Sequence, residues 1–250
     1  MAGLKAETVL ITGANRGIGL EIVKQLVSSE SPPARIFATC RQPSAAQELQ
    51  ELRSKHSNVE LIQLDVLDLA SIEAAVNSVG TSLNLLINNA AILHFESLEN
   101  VTMETMTKVF QTNVIGPLMI SKMFLSHLKE AAQQSHLEGM NCNKAAIINI
   151  SSIVASIEKC PESFIQQPFY SYYISKAGLN MASRCLSEDL RQHQILCAAI
   201  HPGWVRTDMG GLNAPLTVTD SVSSMMKVLA NLSQNDTGKY LDWEGKVITW

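Results

Sequence analysis

The chain has 250 residues, of which 46% are hydrophobic and 17% charged, and a net charge of −4. That size and balance suit one α/β domain spanning residues 1–250 with a full core. The acidic balance, without a basic cluster, argues against nucleic acid as a partner, and no apolar run is long enough to be inserted in a membrane.

Strand-like and helix-like segments alternate, which predicts a doubly wound parallel sheet of about seven strands with helices on both faces. Thr8 to Ile11 is the apolar, β-branched first strand, and Ile18, Ile22, Val23 and Leu26 follow at helical spacing. Pro32-Pro33 breaks the chain before strand two, Ala34 to Cys40. Further strands are expected over Val59 to Leu64, Leu83 to Asn88, Ala145 to Ile150 and Ile195 to Ile200. Helices are expected over Ala45 to His56, Leu69 to Val79, Thr102 to Asn113, Pro117 to Ala132, Ser171 to Gln192 and Thr219 to Leu232. Gln133 to Lys144 is a loop by composition, and Tyr240 to Thr249 reads as a last strand with a turn at Glu244-Gly245. The five cysteines, Cys40, Cys142, Cys160, Cys185 and Cys197, contain no C-x-x-C pair, and no histidine has metal spacing. With no export signal at the start, the expectation is reduced thiols, a cytoplasmic location and no metal site.

Between the first strand and the first helix lies Thr12-Gly13-Ala14-Asn15-Arg16-Gly17-Ile18-Gly19. A strand, a tight glycine turn and a helix start present backbone N–H groups and a helix dipole to a pyrophosphate. Gly13 lets the chain turn at the strand end, and the missing Cβ atoms of Gly17 and Gly19 allow close approach. The spacing is G-x-x-x-G-x-G rather than G-x-G-x-x-G, and alone it also fits a plain tight turn. In sheets of this kind the ligand sits outside the carboxyl ends of the strands. The polar residues to weigh are therefore Arg41, Asp65, Asn89, Ser152 and those from Pro202 to Thr207.

Tyr172 and Lys176 are four apart on a predicted helix and share a face. A free phenol, with a pKa of about 10, exchanges its proton poorly near neutrality, and a neighbouring cation favours the phenolate. On its own such a pair is more often a solvated one. Tyr170 and Tyr173 do not stand four before a lysine and read as packing or pocket residues. Ser152, just after strand five, can hold a substrate carbonyl beside the tyrosine, while Ser151 reads as turned into the fold. Asn113 either caps the next helix or holds a bend and an ordered water on the way to Lys176.

Taken in order, Thr12-Gly13-x-x-x-Gly17-Ile18-Gly19, Asn88-Asn89-Ala90, Asn113, Ser152, Tyr172-x-x-x-Lys176 and Pro202-Gly203 resemble the short-chain dehydrogenase/reductase family over nearly the whole chain. Asn15-Arg16-Gly17, Thr39-Cys40-Arg41, His201 to Val205, Thr207 to Gly211 and Trp250 narrow the likeness to sniffer-type carbonyl reductases and C-factor-like proteins. The resemblance implies a Rossmann-type fold and a carbonyl reductase acting on an aldehyde, ketone or quinone. The other readings are a signalling or NADPH-sensing protein with incidental catalysis, and an alcohol dehydrogenase for a steroid or retinoid. It makes Tyr172 the general acid and base, Lys176 the residue that lowers its pKa and binds the nicotinamide ribose, Ser152 the carbonyl holder and Asn113 the end of a proton relay. Gly13, Asn15, Arg16, Gly17, Ile18 and Gly19 would hold the pyrophosphate side of the cofactor. Asp65 and Val66 would take the adenine, Asn89 and Ala90 the adenosine ribose, and Pro202, Gly203, Val205 and Thr207 the carboxamide end.

The residue at the end of strand two is Cys40, followed by Arg41, where enzymes using NAD place an acid. With Arg16, two cations and no carboxylate favour a 2′-phosphate, so NADPH/NADP+ is the expected cofactor. Two departures from the family pattern stand out. Ala91 replaces a glycine, and Ile157 to Phe169 lengthens the chain before Tyr172, with Phe164, Ile165 and Phe169 as pocket walls or as aromatics packed elsewhere. The loop Met209 to Val218 reads as a flexible flap rather than a helical lid. The resemblance also implies a homodimer, or a tetramer, through Asn113 to Ala132 and Ser171 to Gln192.

Overall fold

A computed structural model describes residues 3–80, 82–164 and 169–250, without the side chain of Ser163. The apolar runs form β1 (Thr8–Thr12), β2 (Arg35–Cys40), β3 (Val59–Gln63), β4 (Leu85–Asn88), β5 (Ala146–Ile150), β6 (Leu196–His201) and β7 (Tyr240–Asp242). They make a 7-stranded parallel sheet in the order β3-β2-β1-β4-β5-β6-β7. The order reverses between β1 and β4, which opens a crevice at their carboxyl ends. The helices are α1 (Gly17–Val27), α2 (Gln47–Lys55), α3 (Leu69–Val79), α4 (Met103–Phe110), α5 (Gly116–Met123), α6 (Leu125–Gln134), α7 (Cys160–Phe164), α8 (Tyr170–Asp189) and α9 (Val218–Asn231).

Successive strand residues face opposite sides of the sheet, and the core divides accordingly. Val9, Ile11, Leu85 and Ile87 pack with Ile22 and Leu26 of α1 and Met225 and Leu229 of α9. Leu10, Leu86 and Ile147 pack on the other face with Ile72 of α3, Ile120 of α5 and Leu128 of α6. Among the described residues no helix is long and apolar enough to cross a membrane.

Four predicted elements come out differently. Between α4 and α5 the backbone opens into a π-helical turn, Gln111–Ile115. Pro117 has no N–H to return to the Asn113 carbonyl, so a regular α-helix cannot pass through this point. The helix expected over Pro117 to Ala132 is broken at Phe124, whose ψ of 5° leaves the helical range as its ring enters the core. The last strand stops at Asp242 because its carboxylate accepts from the N–H groups of Glu244 and Lys246, 2.9 Å each, and forces a turn. Val247 then pairs back, antiparallel, on Leu241. The helix before β6 ends at Asp189, and a 3-10 turn, Arg191–His193, replaces its predicted last turn.

The contact between α1 and the sheet is a tight constraint on the crevice. A Cβ on Gly19 would lie 2.4 Å from the Gly13 carbonyl oxygen and 2.6 Å from Asn89 Nδ2. Gly19→Ala should therefore cost about 1–3 kcal/mol of stability in urea denaturation. Gly3→Ala, which meets nothing within 4 Å, should leave the midpoint unchanged. Equal midpoints for both variants would contradict the packing.

Candidate active site

The β1–α1 turn is built around Thr12 and Asn89. Thr12 Oγ1 accepts from the N–H groups of Asn89 and Ala90, 3.0 Å each. Asn89 Nδ2 donates to the carbonyls of Thr12 and Gly13 at 2.9 and 3.1 Å. The amide donors of Asn89 are thus committed to holding the turn, which leaves Oδ1 as its polar atom for a ligand. Gly13 has φ +65°, and a Cβ there would press on the Ala90 Cα at 3.0 Å. Helix α1 begins at Gly17 without a capping side-chain bond at Arg16 and without an acidic residue in its first turn. Its leading N–H groups and the positive end of its dipole are available to an anion, so the donor set fits a pyrophosphate.

Around that turn, Asp65 Oδ1 accepts from the Leu67 N–H at 3.0 Å, and Val66 packs over Gly116, with Gly116's would-be Cβ 3.0 Å from Val66 Cβ. Arg41 is exposed and has no ion-pair partner among the described residues. Arg16, by contrast, bridges to Asp208 at 2.8 Å, a partner its sequence position did not announce. That exposed pair ties the glycine turn to the loop after β6 and is cheap to exchange for a phosphate.

The loop after β6 is not helical. Val205 pairs with Leu216, and the Arg206 guanidinium donates to the carbonyls of Ala214 and Pro215 at 2.8 and 3.0 Å. Trp204 Nε1 donates to the Gly210 carbonyl at 2.7 Å, and Thr207 Oγ1 accepts from the Gly210 N–H at 3.0 Å. Pro202 is buried, and its carbonyl accepts from Ser221 Oγ at 2.5 Å. Gly203 has φ +85° beside Leu216 and Trp243.

On the other side of the crevice α8 presents Tyr172 and Lys176 on one buried face, 8% and 2% exposed. Lys176 Nζ donates to the Ile150 carbonyl at 2.7 Å and lies 5.7 Å from the centre of the Tyr172 ring. Burial pushes the Tyr172 phenol up to about 12, and its hydrogen bond with Ser152 works the other way. Burial alone pulls the Lys176 ammonium down to about 7. In the free chain removal from water therefore dominates for both groups.

Asn113, 1% exposed in the π-turn, accepts at Oδ1 from the Ile92 N–H at 2.9 Å. Its Nδ2 donates to the Ile92 carbonyl at 2.9 Å and to Ser175 Oγ at 3.0 Å, and Ser175 Oγ donates to the Tyr172 carbonyl at 2.8 Å. Asn113 thus fastens the strand β4 exit to the turn of α8 that carries Tyr172. Glu96 does the same at the helix start, accepting from the Ser171 N–H at 2.8 Å. Ser151 is turned inward, donating to Asn180 Oδ1 at 2.7 Å. Phe164 packs edge-on against Tyr170 and Tyr173, and Phe169 against Phe95 at 4.9 Å. Ile165 lies outside the described residues, and Ala91 is half-buried beside Ala90. Glu96, Ser175 and Asn180 escaped sequence reading, although Tyr172, Lys176 and Asn180 recur every four residues, the pattern of a buried polar face.

Residues 7–215 match the family model for short chain dehydrogenase. The NADPH bound carbonyl reductase from chicken fatty liver is 50% identical, with a TM-score of 0.97 over 100% of this chain and 96% of that one. The carbonyl reductase Sniffer of D. melanogaster is 35% identical, with a TM-score of 0.93 over 98% of this chain and 100% of that one. The C-signal of Myxococcus xanthus is 32% identical over 70% of this chain and 98% of that protein.

The pKa of Lys176 has a consequence for stability. Below about pH 7 folded and unfolded chains both hold its proton; from there up to its ordinary pKa of 10.5 only the unfolded chain does. Stability therefore rises with pH across that window. Lys176→Met should remove that contribution, so its advantage over the original protein in urea unfolding should be largest near about pH 6 and shrink toward about pH 9. A gap that does not change with pH would contradict the burial of a strained cation.

Proposed function

The chain belongs to the short-chain dehydrogenase family of oxidoreductases, and from that premise we propose that it is an NADPH-dependent carbonyl reductase acting on an aldehyde, ketone or quinone. The observation that carries the reading is the convergence of Tyr172, Lys176 and Ser152 at the sheet's carboxyl edge, with Ser152 hydrogen-bonded to Tyr172. The likeness to two carbonyl reductases, one of them bound to NADPH, supports it.

NADPH, when bound, supplies the hydride and both electrons. The glycine turn and α1 hold its pyrophosphate, Arg41 and Arg16 its 2′-phosphate, Asp65 and Val66 its adenine, and Val205 and Thr207 its carboxamide end. Ser152 Oγ donates to the substrate carbonyl oxygen and orients it. Tyr172 Oη gives that oxygen a proton as the carbonyl becomes an alcohol; burial holds the phenol protonated in the free chain, while the Ser152 hydrogen bond and positive charge on the cofactor ring work against that rise and favour release of the proton. Lys176 keeps Tyr172 in register and offsets phenolate charge, and Asn113 fixes the helix turn that carries both. The exposed Phe95 packed on the half-buried Phe169, with the exposed Trp204 on the loop after β6, offers an apolar approach.

Likeness to the C-signal favours one other reading, a nucleotide-binding signalling protein. Such a protein needs the glycine turn and Arg41 but not Tyr172. We also propose a homodimer, or a tetramer, through the helices over Asn113 to Ala132 and Ser171 to Gln192, which leave Ile115, Leu118, Ile174 and Met181 exposed; light scattering should give two or four times the chain mass.

The test is loss of NADPH absorbance with an o-quinone, an aromatic aldehyde, an aliphatic ketone and a steroid ketone. Tyr172→Phe should abolish turnover, by about 10²-fold or more, while NADPH still binds. Tight binding without turnover on any carbonyl would favour the signalling reading. Arg41→Asp should move cofactor preference toward NADH, and comparable kcat/KM with both cofactors in the original protein would sink the NADPH assignment.

A further inference from the structure

Behind Ser152 lies a second tyrosine. Tyr240, the first residue of β7, is 0% exposed, and its hydroxyl donates to the Ser152 backbone carbonyl. That carbonyl also accepts from the Ala155 N–H at 3.0 Å, closing the 3-10 turn Ile153–Ala155. Asn180, one turn beyond Lys176 on α8, stands beside the Tyr240 hydroxyl, and its Oδ1 accepts from Ser151 Oγ at 2.7 Å. Tyr240 is close enough to Tyr172 that charge on one opposes charge on the other. The two serines after β5 are thus held from behind by α8 and β7 together.

The Tyr240 ring is set by the segment that turns back after β7. The Trp250 ring stacks on it, with centroids 5.6 Å apart and planes at 27°. The Ile248 N–H donates to the Tyr240 carbonyl at 2.8 Å, and Ile248 joins Ala155, Ala199 and Tyr240 in a small core under the Ser152 loop. The Trp250 carbonyl accepts from the Glu158 N–H at 3.1 Å, so the same segment pins the chain that leads toward Tyr172. A buried hydroxyl aimed at a buried carbonyl in the catalytic loop, with its ring clamped, has a geometric consequence. The direction of the peptide after Ser152 decides where Ser152 Oγ meets Tyr172.

We infer that Tyr240 is a positioning residue for carbonyl reduction: its hydroxyl orients Ser152 toward Tyr172, and the Trp250 stack sets where that hydroxyl stands. The inference rests on the proposed reductase reading. It extends the site to β7 and to Trp250, which act through the Ser152 backbone. Because the Ser152 hydrogen bond lowers the Tyr172 pKa, a misdirected Ser152 should leave Tyr172 protonated to higher pH. Reduction needs that proton, so the alkaline limb of the rate profile should move upward.

Tyr240→Phe keeps the ring and the stack and removes only the donor. We expect a roughly tenfold fall in kcat with the best carbonyl, the scale of a small misplacement of a reacting group. The alkaline limb of kcat/KM should shift to higher pH, and the NADPH dissociation constant, read by fluorescence without substrate, should stay within about twofold. Trp250→Ala should reproduce this phenotype and Trp250→Phe, which restores a stacking ring, should rescue it. This pair decides the matter if Tyr240→Phe does not fold. An unchanged kcat and alkaline limb in Tyr240→Phe would overturn the inference, as would a loss of NADPH binding in step with kcat. A protein that reduces no carbonyl before any substitution refutes the reductase reading itself, and the positioning role with it.

Discussion

A phenol and an ammonium share one buried helix face beneath the ends of β5 and β6, and neither can carry charge there without the cost of leaving water. Tyr172 is driven toward its neutral form and so is Lys176. The free site therefore holds a neutral phenol beside an ammonium that gives up its proton far more readily than a free lysine, and a charged phenolate needs help from outside the chain. A cationic ring bound in the crevice is such help, since it favours phenolate and is itself stabilised by it. The same constraint explains why so many neighbouring groups are backbone carbonyls and amides: Ile150 for Lys176, Ile92 for Asn113, the Ser152 carbonyl for Tyr240. Neutral dipoles can be buried and satisfied where further charges could not.

Around that pair the fold supplies fixed attachments rather than flexible arms. Asn113 and Ser175 hold the turn of α8 that carries Tyr172, Glu96 holds the Ser171 N–H in the helix's first turn, and Ser151 with Asn180 holds the strand exit. Deeper in the sheet, Asn88 Nδ2 donates to Asn149 Oδ1 at 2.9 Å and Asn149 Nδ2 to Ser183 Oγ at 2.8 Å, which carries the polar contact from β4 through β5 to α8. The cofactor side is less rigidly closed, because its link across the crevice, Arg16 to Asp208, is an exposed ion pair that a phosphate can displace. The rigid half suits chemistry, and the exchangeable half suits entry and release of a nucleotide.

Much of this was legible in the sequence because the sheet's signals are local. β-Branched runs ending in glycine or asparagine marked the strands, and the glycine turn and Tyr172-x-x-x-Lys176 marked the two sides of the crevice. Helix breaks were harder to read. Pro117 was visible, but that it would open a π-turn around Asn113 depends on the missing N–H acting in a buried helix. The final strand was overread because its alternating residues hid the turn set by the Asp242 carboxylate. The proton affinities of Tyr172 and Lys176 in the free chain are hidden from the sequence for a different reason: spacing reports nearness, whereas depth of burial is a tertiary property. Tyr240, Asp208 and Glu96 reach the site from segments far along the chain, where no short motif records the contact.

The central claim is that burial, and not the lysine, sets the proton affinity of Tyr172 until a cationic ring is bound. The direct measurement is a tyrosinate absorbance titration of the protein minus that of Tyr172→Phe, with and without NADP+. The account predicts that the difference signal is absent through neutral pH in the free protein and moves toward neutrality when NADP+ is present. Ionisation of Tyr172 near neutral pH in the free protein, or no movement on adding NADP+, would contradict it.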